Sequence, residues 1–167
     1  MNKLARTLNF VAIIIFCVSM ILGFWIEFFH GQQPCILCYL QRSMMMGIGL
    51  CLFFNLSFGV RLHHYGFALL WSLLGLSCAL RHAAINICRE VPMGAYTFGP
   101  YRLYTWSFLL FFCSILGISL LLCLERSSLK VVDKPKKDFM FVSSAVFLMV
   151  VLIVASVSAF ISRGVHF

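Results

Sequence analysis

Charge is what this sequence has least of. Only 11% of its 167 residues are Asp, Glu, Lys or Arg, against about a quarter in an ordinary soluble domain. With 62% hydrophobic residues and a mean hydropathy of +1.01, that scarcity excludes a soluble globular fold and a secreted disulfide scaffold. There is no internal repeat, no low-complexity tract and no segment with the composition of a water-soluble domain. The net charge of +8 does not indicate nucleic acid, because the basic residues stand between apolar runs rather than in one patch. The chain reads as all-α: a polytopic membrane four-helix bundle plus a fifth transmembrane helix, one membrane domain over residues 1–167.

A cleavable signal peptide is missing as well. Lys3 and Arg6 precede a charge-free run, Phe10 to Ile26, which is longer than the roughly 7–15 apolar residues of a signal sequence. The stretch Phe24-Trp25-Ile26-Glu27-Phe28-Phe29 offers no small-residue cleavage site. The run is therefore a first span, with Trp25 at an interface. Four more apolar runs follow, and a helix needs about 20 residues to cross about 30 Å of hydrocarbon. The predicted spans are 8–28, 43–60, 65–83, 103–124 and 139–162, the third borrowing its flanks to reach sufficient length.

Lys and Arg placement orients them. An inside N-terminus puts Lys3, Arg6, Arg61, Arg126, Lys130, Lys134, Lys136 and Lys137 in the cytoplasm, and Arg42, Arg81, Arg89, Arg102 and Arg163 outside. Loops 61–64 and 125–138 are then cytoplasmic, and loops 29–42 and 84–102 face outward. Gly75, Ala79 and Ala83 recur every four residues on the third helix, which suits close helix packing.

Among eight cysteines, two stand apart. Cys35 and Cys38 form a Cys-x-x-Cys pair at the outer, oxidising face, with Pro34 before them and Arg42 one helical turn behind Cys38. Such a pair closes a small disulfide ring that exchanges with other thiols, and a cation or a helix N-terminus favours its thiolate. The alternatives are a metal site or two inert thiols. Zinc needs four ligands, and the outer loops add only Cys88, His30 and, at the third helix end, His82; no metal is expected. Cys17, Cys51, Cys113 and Cys123 fall within spans and read as buried small apolar residues. The Met44-Met45-Met46 run reads as adaptable packing, with quinone lining as its alternative. Tyr96, Phe98, Tyr101, Tyr104 and Trp106 read as an interfacial belt that also stands over the redox site.

The motif Pro34-Cys35-x-x-Cys38-x-x-Gln41-Arg42 after one span resembles the first external loop of the DsbB family of membrane thiol oxidases. The compact layout is closest to the BdbC-type branch, the disulfide formation proteins, and the likeness covers residues 8–124. The resemblance implies a thiol:quinone oxidoreductase of the bacterial inner membrane. It would reoxidise a thioredoxin-like partner of DsbA/BdbD type, with ubiquinone or menaquinone as electron acceptor. Cys35 and Cys38 would reduce the quinone, Arg42 would stabilise charge developing on its head group, and His82 would occupy the place of a histidine that often ends the third span. An interfacial histidine is the other reading of His82.

One departure stands out. The family normally carries a second cysteine pair in the second outer loop, and this chain has Cys88 alone, with Met93 just after Val91-Pro92. Cys78 lies ten residues earlier, about 15 Å along a continuing helix and beyond the roughly 7 Å Cα reach of a disulfide. Cys88 then bonds transiently to Cys35 or Cys38, pairs with a dimer mate or the partner, or stands idle; a catalytic role is the expectation. The rivals are an enzyme resembling vitamin K epoxide reductase, whose active pair is expected late in the bundle, and a metal-handling or structural membrane protein, which has no need of proline, arginine and outward cysteines together.

Overall fold

A computed structural model describes residues 3–30, 35–59, 61–87, 97–98, 101–125 and 139–164. Five helices appear in chain order: α1 (Lys3–His30), α2 (Ile36–Phe58), α3 (Leu62–Ile87), α4 (Leu103–Glu125) and α5 (Phe139–Gly164). A two-stranded antiparallel ribbon, β1 (Thr97–Phe98) with β2 (Tyr101–Arg102), leads into α4. The chain is an all-α membrane bundle. Four helices are long and apolar enough to cross a bilayer: Leu4–Phe29, Ile36–Phe58, Leu62–Asn86 and Leu103–Cys123. In α5 the apolar stretch among the described side chains is Val142–Ala155.

Each helix divides its apolar surface. Ile13, Phe16, Cys17, Ile48, Leu52, Ala68, Ala79 and Phe111 face inward and are buried. Val11, Ile15, Val18, Leu70, Leu74, Phe112 and Leu116 lie on outward faces and stay exposed. An apolar outer surface of this extent is unfavourable in water and suits hydrocarbon. Within the bundle α2 packs on both α1 and α3, and α4 packs on α3. The α3–α4 contact is close because Gly75 has no side chain: a Cβ there would collide with the Phe111 ring. Gly47 makes the same allowance for Trp71 across α2 and α3. The fifth helix seats on α1 and α2 through buried Ser144, Leu148 and Val151.

Polar side chains inside the bundle are tied across helices, as a low-dielectric interior requires. Asn9 of α1 donates to Tyr65 of α3 at 2.8 Å, and Ser114 of α4 donates to Ser72 of α3 at 3.0 Å. Asn55 caps the turn between α2 and α3: its Oδ1 accepts from the Arg61 backbone N–H at 3.3 Å and lies 3.0 Å from His64 Nδ1. Gly59, at φ 85°, makes that turn.

The helices run past the predicted spans. Residues 36–42 are the first two turns of α2, 62–64 belong to α3, and α3 continues through 84–87. A count of uncharged residues stops at Arg42, but the helix does not, because that guanidinium is paired inside the bundle. Cys113 and Cys123 also differ from expectation. Both lie exposed on the outer face of α4, a helix so uniformly apolar that its sequence does not mark an inward side. Cys17 and Cys51 are buried.

Candidate active site

Up-and-down topology brings four helix ends together: the C-terminal ends of α1 and α3 and the N-terminal ends of α2 and α4. Cys35 is the N-cap of α2, with extended backbone (φ −75°, ψ 161°). Its carbonyl accepts from the N–H groups of Cys38 at 2.9 Å and Tyr39 at 3.3 Å, and its sulfur accepts from the Cys38 N–H at 3.4 Å. A thiolate here sits at the positive end of the helix dipole, among N–H groups with no intrahelical acceptor. The helix N-terminus therefore serves Cys35 rather than Cys38.

The two sulfurs are 3.0 Å apart and share a hydrogen bond. On the other side of Cys35, His82 Nε2 lies 3.8 Å from its Sγ. These contacts lower the Cys35 thiol from its ordinary 9.0 to about 4. The hydrogen bond from Cys38 contributes most, against partial burial, with His82 and the Cys38 N–H adding to it. These contacts favour the thiolate at Cys35, the form in which a cysteine is a nucleophile.

Arg42 stands one turn beyond Cys38. Its Nη1 donates to Glu27 Oε2 at 2.5 Å and its Nη2 to the Gly23 carbonyl at 3.2 Å. The guanidinium lies over the Phe24 ring, 4.4 Å from the centroid, and 5.8 Å from the centroid of Tyr39. Arginine is thus fixed between the end of α1 and the start of α2, and its positive charge acts on Cys38. His82 is similarly held. Gln41 Nε2 lies 3.4 Å from its Nδ1, its carbonyl accepts from Asn86 at 3.0 Å, and Tyr104 packs on its ring at 5.4 Å.

The fold thus brings Cys35, Cys38 and His82 into one cluster, with Arg42 one helical turn beyond Cys38 and engaged with α1. Cys88, the fifth candidate, lies outside the described residues. So does Tyr96; Tyr104 touches the site, whereas Tyr101 pairs edge-on with Trp106 at 6.2 Å. Met45 is buried in the core, with Met44 and Met46 packed against it. Two participants had no assigned role in the sequence reading, Glu27 and Gln41. Glu27 is the sole acidic residue before position 90, and an isolated carboxylate at the end of an apolar run is a signal for a nearby cation. Gln41 was visible only as part of the motif.

Cys35, Cys38 and His82 present three ligand atoms within 4.8 Å of one another. Structural zinc takes four ligands, so these three alone do not complete a closed structural site, although three is the number an open site uses. A sulfur pair beside a histidine at a helix N-terminus is also an arrangement for thiol–disulfide exchange.

A family model described as disulfide bond formation protein DsbB matches residues 5–161. This chain belongs to the DsbB family. It is a multi-pass membrane disulfide bond formation protein. No curated protein and no solved structure matches it.

Proposed function

We propose that this DsbB-family protein is a thiol:quinone oxidoreductase that reoxidises a thioredoxin-like partner of DsbA type. The observation that carries the proposal is the Cys35–Cys38 pair at a helix N-terminus, with His82 beside Cys35. The partner's two thiols reduce the Cys35–Cys38 disulfide by successive exchange, through one mixed disulfide, so two electrons pass to the pair as the partner's own disulfide closes. Cys35 leaves this exchange as the thiolate and Cys38 as the thiol that donates to it. Re-forming the Cys35–Cys38 bond then releases two electrons and the remaining proton. Cys88 acts, in this proposal, in the exchange with the partner.

The described residues fit a quinone head group beside the pair. Arg42 gives two of its five N–H donors to Glu27 and Gly23, and its positive charge, already fixed, needs no reorganisation when negative charge develops nearby. A bound quinone supplies a two-electron, two-proton acceptor and leaves as quinol. The residues of this chain place the sulfurs, hold Cys35 deprotonated and keep a cation within range of Cys38. The outward orientation, with the N-terminus in the cytoplasm, belongs to the same proposal and rests on the Lys and Arg distribution; the fifth span rests on the uncharged run 139–162 and the bacterial inner membrane on the family.

Alkylation trapping in native membranes tests it. The pair is expected to be oxidised at rest and to become reduced when membrane quinones are extracted. A Cys35–Cys38 pair that is permanently reduced would contradict the proposal.

A further inference from the structure

Gln41 and His82 are both buried, 4% and 5% exposed, so the hydrogen bond between them is made without competition from water. The Gln41 amide nitrogen carries two hydrogens and accepts nothing. As the amide is placed, the histidine nitrogen that it faces, Nδ1 at 3.4 Å, is the acceptor. A neutral imidazole with an unprotonated Nδ1 holds its one hydrogen on Nε2. Nε2 is the atom 3.8 Å from the Cys35 sulfur.

We propose that Gln41 is a positioning residue of the redox pair: it fixes the Nε2–H tautomer of His82, so that the imidazole donates to Cys35. The inference rests on Cys35–Cys38 being the pair that cycles, and it assigns a direction to every hydrogen bond along the line. Gln41 donates to His82, His82 donates to Cys35, and Cys38 donates to the same sulfur from the other side. All three point toward the sulfur that carries negative charge in the reduced protein. Tyr104 packs on the ring without engaging either nitrogen.

The same polarity bears on metal capture. A metal-binding histidine offers a lone pair to the ion and donates its other N–H to a carboxylate or carbonyl. Here the other nitrogen meets a donor, and the nitrogen facing the two sulfurs carries a hydrogen. In that form, of the three atoms spaced for a metal, Nε2 offers no lone pair. A carboxylate at position 41 would reverse the line: it would accept from Nδ1–H and turn the Nε2 lone pair toward the sulfurs.

Nitrogen NMR of the reduced, detergent-solubilised protein, labelled with 15N-histidine, tests the assignment. The His82 resonances are identified by their loss in His82→Ala. Wild type is expected to show Nδ1 unprotonated, Gln41→Ala a mixture of tautomers, and Gln41→Glu a protonated Nδ1. A protonated Nδ1 in wild type, or a tautomer unmoved in both variants, would overturn the proposal. Cadmium titration, read by thiolate-to-metal charge-transfer absorbance, adds an independent measure. Reduced Gln41→Glu is expected to bind cadmium at least tenfold more tightly than wild type, and equal affinity would count against the reversal. Neither readout requires quinone turnover, so a protein that fails to reduce quinone can still carry this tautomer. Should Gln41→Glu not fold, the wild-type spectrum alone decides.

Discussion

Arg42 is anchored by Glu27, fifteen residues earlier in the chain and 2.5 Å away. Both side chains are mostly buried, 16% and 12% exposed, and the pair ties the end of α1 to the start of α2. Removing the carboxylate leaves a guanidinium with one charge partner fewer in a poorly solvated place, which costs about 1–3 kcal/mol. Glu27→Gln is expected to lower the thermal midpoint in detergent by several degrees. It is also expected to change the rate of quinone reduction, because the cation beside Cys38 is released. An unchanged midpoint would show that the pair is not a structural tie.

The Cys35 thiol, lowered to about 4, sets a distinctive pH dependence. An ordinary thiol alkylates roughly tenfold faster for each pH unit below its pKa of about 8.5. Alkylation of Cys35 in the reduced protein is expected to be nearly flat between pH 5 and 8. Because the folded value lies below the ordinary 9.0, the stabilisation of the reduced fold by this thiolate is complete above about pH 9. It declines as pH falls toward 4. A tenfold rise per unit through pH 6 to 8 would refute the assignment.

His82→Ala removes one donor from the thiolate. A hydrogen bond to a charged group contributes about 1.5–3 kcal/mol, so quinone reduction is expected to slow by roughly 10- to 100-fold and the flat alkylation region to move to higher pH. A variant that matches wild type in both measurements would make His82 an interfacial residue.

Close helix packing predicts a contrast between two glycines. Gly75→Ala drives a methyl group into the Phe111 ring, and overpacking of this kind costs about 1–3 kcal/mol. Gly117 has nothing within 4 Å of the same position, so Gly117→Ala is expected to be neutral or slightly stabilising. Thermal midpoints of the two variants, measured side by side, check it.

Cys88→Ser separates two steps. Turnover driven by the reduced protein partner is expected to fall several-fold, while turnover driven by a small dithiol that reduces Cys35–Cys38 directly persists. Equal rates with the protein partner would make Cys88 idle.

Much of this architecture was legible because charge is so scarce. Uncharged runs bounded by arginines and lysines mark membrane helices with little ambiguity, and the Cys35–Cys38–Arg42 spacing marks the redox end of α2. The misreadings share a cause: single positions were judged without their partners. Arg42 bounds the uncharged run because Glu27, which pairs with it from α1, is distant in sequence. The helices themselves continue through 36–42 and 84–87. Cys113 and Cys123 looked buried because α4 is apolar on every side, and periodicity distinguishes faces only where polar residues interrupt it. Gln41 stands out in the sequence only as part of the motif, since nothing in one dimension shows that it reaches a histidine forty-one residues away.

The most direct test of the account is quinol formation, followed by absorbance, with the purified protein in detergent and a reduced thioredoxin-like partner. A Cys35→Ser, Cys38→Ser double variant is run beside it. The account predicts one quinol for each partner disulfide formed, and no quinol from the variant. Quinone left unchanged by wild type, while the partner stays reduced, would contradict it.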